Sequence, residues 1–168
     1  MTAGPTDASP RPRLSRRKGL FAALLPGAAW VVARATRAAA ATENLEDTKP
    51  FAEHRLALQL SDEDPAKQHL VLNVANNMLR KFTPDLIAIE VVAFGPGIVL
   101  LHADSPVREA VDSLAAQGVR FDVCMNTVKT VERRSGAKLA LNPNTVPVDA
   151  GAAQLMLLME RKYVLLRP

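Results

Sequence analysis

From residue 54 onward, short apolar runs alternate with helical stretches, and that rhythm leaves few folds open. Arg55 to Leu60, Ile87 to Phe94, Val119 to Val123, Val146 to Val148 and Tyr163 to Leu166 read as strands. Asp64-Pro65 and Ser105-Pro106 each place a capping residue before a proline at the first helical position. Leu70, Val71, Val74, Ala75, Met78 and Leu79 then follow at the spacing of one helical face, as do Val107, Ala110, Val111, Leu114 and Ala115. A third helix is expected over Thr127 to Ser135, with Gly136 as its stop, and a fourth from a cap at Asp149 through Glu160. The order βαβαβαβαβ predicts an α/β fold: a three-layer domain with a mostly parallel five-stranded sheet and helices on both faces. Strand order does not follow from the pattern.

The first 41 residues have a different character. Ser15-Arg16-Arg17-Lys18 leads into an apolar run from Leu20 to Ala33, and small residues follow from Ala38 to Ala41. A basic start, a short apolar centre and a small-residue end resemble an export signal, here of the twin-arginine kind. The run is shorter than the roughly 20 apolar residues of an ordinary membrane span. The expected organisation is a signal over 1–41, a linker over 42–53 and a domain over 54–168. A periplasmic location follows, with a membrane tether if the signal stays uncleaved.

Charge follows the same division. The chain carries a formal +4, but residues 1–41 hold seven of its 21 Lys and Arg and one of its 17 Asp and Glu. That leaves 14 bases against 16 acids in the remainder, and with 4% aromatic residues the domain offers neither phosphate footprint nor stacking platform for nucleic acid.

In parallel sheets, chemistry collects at the carboxyl ends of the strands. Four loops share that edge here: 61–64, 95–97, 124–126 and 149–151. Cys124, the chain's single cysteine, ends the third strand where a helix is about to begin. The first turn of a helix presents unpaired N–H groups and partial positive charge, which favour a thiolate. Asn126 and Thr127 would present such groups, and Lys129 would add a charge if it points back along the helix. The competing reading is a buried cysteine acting as a small apolar residue. Ser61 and Asp62 lie on the same edge, and Gly95-Pro96-Gly97 reads as a tight turn that lets backbone N–H groups approach an anion.

Several stretches carry a resemblance to a known family: Leu60-Ser61-Asp62-Glu63-Asp64-Pro65; Val91-Val92-Ala93-Phe94-Gly95-Pro96-Gly97 with Leu100-Leu101; Gln117 through Thr127; Val146-Pro147; and the closing Lys162-Tyr163-Val164-Leu165-Leu166-Arg167-Pro168. Together they make residues 54–168 similar to the DsrE/DsrF-like (YchN-like) proteins of sulfur relay. The resemblance implies an α/β domain that assembles as a dimer, trimer or hexamer. It also implies that Cys124 carries sulfane sulfur as a persulfide, exchanged with a donor or acceptor protein. The alternative is a small-molecule-binding or assembly module in which the cysteine is incidental.

Other motifs are weaker. Asp62, Glu63 and Asp64 fit no metal-loop spacing, and His54, His69 and His102 are far apart, so neither a metal nor a cofactor is expected. A protease-like pair would need His102 beside Cys124. Leu155 to Met159 is apolar around most of a helix, which implies deep burial or cover by another subunit.

Overall fold

The computed structural model describes residues 49–168; the expected export signal over 1–41 and most of the expected linker over 42–53 lie outside them. Five strands form one sheet: β1 (His54–Leu60), β2 (Ile87–Ala93), β3 (Arg120–Cys124), β4 (Thr145–Val148) and β5 (Val164–Leu166). Their order is β4-β3-β2-β1-β5, and every pairing is parallel. The predicted α/β class therefore holds, and the sheet is fully parallel. β2, at the centre, is buried at every position, as a strand covered on both faces must be.

Four α-helices connect the strands: α1 (Pro65–Phe82), α2 (Arg108–Ala116), α3 (Met125–Ser135) and α4 (Gly151–Glu160). The first three pack on one face, where Val71, Ala75, Val111, Leu114 and Val128 meet Leu58, Ile89, Val91, Phe121 and Val123. On the other face lies α4, setting Leu155 and Leu158 with Tyr163 against Ala57, Ala88 and Val92. Alternation along the strands separates the two sets.

Local signals acted unevenly. Asp64 caps α1 as expected, its Oδ1 accepting from the Ala66 N–H at 2.8 Å. Ser105 does not cap α2: the helix begins three residues later, and the Ser105 hydroxyl is buried without a partner among the described residues. Pro106 instead lies in a turn closed by the Arg108 N–H on the Ser105 carbonyl. Gly95-Pro96-Gly97 opens a 3₁₀ helix running to Leu101, not a tight turn alone. Gly97 is required by close approach, because a Cβ there would stand 2.4 Å from the Leu60 carbonyl oxygen. The apolar stretch of α4 is buried on one side only: Leu155 and Leu158 face the sheet, while Met156, Leu157 and Met159 are exposed on the single chain.

Candidate functional site

The connections after β3 and β4 leave toward opposite faces: α3 packs with α1 and α2, while α4 crosses the other side. Adjacent strands whose connections diverge open a crevice at their carboxyl ends, the usual place for a ligand in such sheets. Cys124 ends β3 at that point, paired in register with Val148 of β4. The Asn126 N–H spans the crevice to the Asp149 carbonyl at 3.2 Å.

Two helices begin beside the sulfur. Cys124 itself occupies the cap position of α3, where a Ser or Asp would ordinarily satisfy the first amides, and no described side chain caps that helix. α4 also lacks a side-chain cap among the described residues. Its cap residue is Ala150 rather than the expected Asp149, whose exposed side chain stands one residue too early. The Thr127 and Gly151 amides are thus left for the thiol, and the Asn126 N–H is shared between the sulfur and the Asp149 carbonyl.

Burial pushes the Cys124 thiol up. The Thr127 hydroxyl and the backbone N–H groups of Gly151, Thr127 and Asn126 more than reverse this, so the thiol titrates below its ordinary range. Thr127 is held in the orientation this requires. Its Oγ1 accepts from the Gly95 N–H at 3.0 Å, which leaves its own proton for the sulfur. Gly95 reaches that position with φ +54°, a conformation glycine adopts without strain. The Asp149 carbonyl, 4.0 Å from Sγ, is the acceptor for the neutral thiol. Cys124 is only 5% exposed, but its sulfur faces backbone and hydroxyl groups rather than aliphatic ones alone.

Of the expected site residues, Cys124, Asn126, Thr127 and Gly95 come together. Ser61 sits beside them at the end of β1, its carbonyl oxygen 3.7 Å from where a Gly95 Cβ would be. Gly97 packs its backbone on Leu60 and serves that contact. Asp62 turns to Lys67 at 3.0 Å and Arg167 at 3.9 Å. Lys129 lines a separate groove with Arg133 and Lys138. His102 is not paired with Cys124: it bridges to Leu141, and its buried Nε2 has no partner among the described residues. His102 instead borders a cavity of about 560 Å³ between the 3₁₀ helix and α3, with Gly95, Thr127 and Arg134. Cys124 is not in that lining.

Sequence reasoning missed Gly151 as a ligand of the sulfur, because its role comes from a backbone amide. It also missed an ionic group beneath α4. Glu90, Arg120 and Asp122 point to the same side of the sheet as Cys124, inside runs that otherwise read as apolar. Arg120 Nε lies 2.7 Å from Asp122 Oδ1 and 3.6 Å from Glu90 Oε2. From above, Gln154 Nε2 donates to Glu90 Oε2 at 3.2 Å and the Tyr163 hydroxyl to Oε1 at 3.4 Å. Burial, and then the neighbouring Asp122, push the Glu90 carboxyl up to about 8. Asp122 is raised by burial too, but the closer guanidinium opposes this, so Asp122 is the member that ionises first.

No protein-family model matches the chain, and no curated protein does. Among solved structures, the chain is similar to a protein of unknown function, MTH1491, from Methanobacterium thermoautotrophicum. Identity is 26%, the match covers 69% of this chain and 100% of that one, and the TM-score is 0.62. The likeness therefore takes in the whole of a protein that has the same architecture.

Proposed function

We propose that the domain handles sulfane sulfur through Cys124, in keeping with its resemblance to the DsrE/DsrF-like proteins. One observation carries the reading: the sulfur lies at the meeting of two uncapped helix starts, with Thr127 and Gly151 stabilising its anion. In the step, the Cys124 thiolate attacks the outer sulfur of a donor persulfide, RS–SH. A new S–S bond forms, the old one breaks and RS⁻ leaves, so Cys124 becomes S–SH with no net oxidation. The negative charge of the resulting persulfide meets the same amides. Passage to an acceptor thiol repeats the exchange in reverse.

The outward Met156, Leu157 and Met159 support assembly into a homo-oligomer, which would cover them. The basic N-terminal segment supports export to the periplasm; among the described residues no helix is long and apolar enough to cross a membrane. A second reading, a small-molecule-binding module with an incidental cysteine, is favoured by the 560 Å³ cavity that Cys124 does not line.

The test is intact mass after incubation with a sulfane-sulfur donor. Sulfur transfer predicts the gain of one sulfur atom, removed by reductant and absent in Cys124→Ser. No adduct on the wild type contradicts the reading and leaves the binding module.

A further inference from the structure

The buried ionic group and the thiol lie under the same helix. Arg120, Asp122 and Cys124 alternate along β3 toward α4, and Glu90 and Val92 stand in register beside Arg120 and Asp122 on β2. Helix α4 meets this surface at two places. Its first residue, Gly151, packs so closely on Phe94 that an added Cβ would stand 2.9 Å from the Phe94 Cβ, and its N–H faces the Cys124 sulfur. One turn later Gln154 donates to Glu90, and just past the helix the Tyr163 hydroxyl donates to the same carboxyl. Leu155 and Leu158 supply the remaining contact, which is apolar and without direction. The polar contacts to Glu90 are directional, so they fix where along the sheet the helix sits.

We propose that Glu90 is a positioning residue for Cys124: by holding Gln154 and Tyr163 it fixes α4 on the sheet, and with it the Gly151 N–H that faces the sulfur. This rests on the reading of Cys124 as a stabilised thiolate. It also gives a reason for the acid's place. Arg120 already has a close partner in Asp122, so the ion pair does not require Glu90. An apolar residue at position 90 would bury as well and would remove a desolvation cost. What it could not do is accept from α4.

That difference makes the test discriminating. Glu90→Leu keeps the volume and the Arg120–Asp122 pair, so the domain stays folded, while the carboxyl that accepts from Gln154 and Tyr163 is lost and Gln154 keeps only its bond to Asp122. In the full-length protein, hydrogen exchange over α4 is expected to quicken, and Cys124 alkylation at pH 7 to slow by about three- to tenfold as thiolate is lost. Glu90→Gln, whose single amide oxygen can still accept from Gln154 and which is uncharged, is expected to return both most of the way to the wild-type level. Gln154→Ala, a change on the half-buried side of α4, should shift both in the direction of Glu90→Leu if the acid variant proves hard to purify. An alkylation rate unchanged in Glu90→Leu and in Gln154→Ala overturns the proposal, and so does unchanged exchange over α4. A wild-type thiol of ordinary titration would instead remove the thiolate reading, and the exchange arm would still decide whether Glu90 fixes the helix.

Discussion

The Thr127 hydroxyl has one proton, and the Gly95 N–H occupying its oxygen directs that proton to Cys124. A hydrogen bond to a charged group is worth about 1.5–3 kcal/mol, roughly tenfold or more in the thiolate equilibrium. Thr127→Val, which keeps the shape and removes the donor, is therefore expected to raise the thiol's titration and to slow its alkylation near neutrality by about tenfold. Thr127→Ser should stay close to wild type, and stopped-flow alkylation across pH compares the three. Cys124, Asn126 and Thr127 are legible in the sequence because a lone cysteine at a strand end, followed by polar residues, marks a helix start. Gly151 is not, because a backbone amide contributed from 27 positions away leaves no trace in composition or spacing.

Elements show the same division between near and far. The alternation of apolar runs and capped stretches places all five strands and four helices within a few residues, since each signal is local. The 3₁₀ helix after β2 escapes, because its Gly95 and Gly97 serve tertiary contacts as well as a turn. Gly97 illustrates the cost of that packing. Gly97→Ala drives a methyl into the β1 backbone, and neither strand end can yield without disturbing the sheet. The expected loss is about 1–3 kcal/mol, seen as a lower midpoint in urea with an unchanged slope. Asp64→Ala removes the cap of α1 and is expected to cost about 1 kcal/mol in the same assay. The expected caps at Ser105 and Asp149 fail for opposite reasons: a turn intervenes at Pro106, and at Asp149 the chain stays extended through Ala150.

Across the whole molecule, the acids within the sheet set how stability responds to pH. Glu90 in the folded state holds its proton to about pH 8, well above an unfolded carboxyl. Between those values the folded chain binds more protons than the unfolded chain, so stability falls as pH rises and levels off above the folded value. The fall is at most about 1.4 kcal/mol per pH unit from this group. Glu90→Gln has no proton to lose, so it is expected to become more stable than wild type as pH rises from about 5 to 8. Denaturant midpoints over that range check it; a constant difference contradicts it. Neither acid announces itself in the sequence, because a single acid inside IAIEVVA or RFDVC does not break the reading of a buried strand. The uncovered side of α4 belongs to this scale as well. If copies of the chain meet there, Met156→Glu with Met159→Glu should lower the mass measured by sedimentation.

Sulfur handling at Cys124 depends on the protonation state of one sulfur atom, held where two helices start. Ultraviolet absorbance of the thiolate, followed with pH in the wild type against Cys124→Ser, reads that state without any donor or partner. An inflection clearly below the ordinary thiol value of about 8.5 is the predicted result. An inflection at or above that value would mean that burial outweighs the amides, and Cys124 would be a core residue rather than a nucleophile.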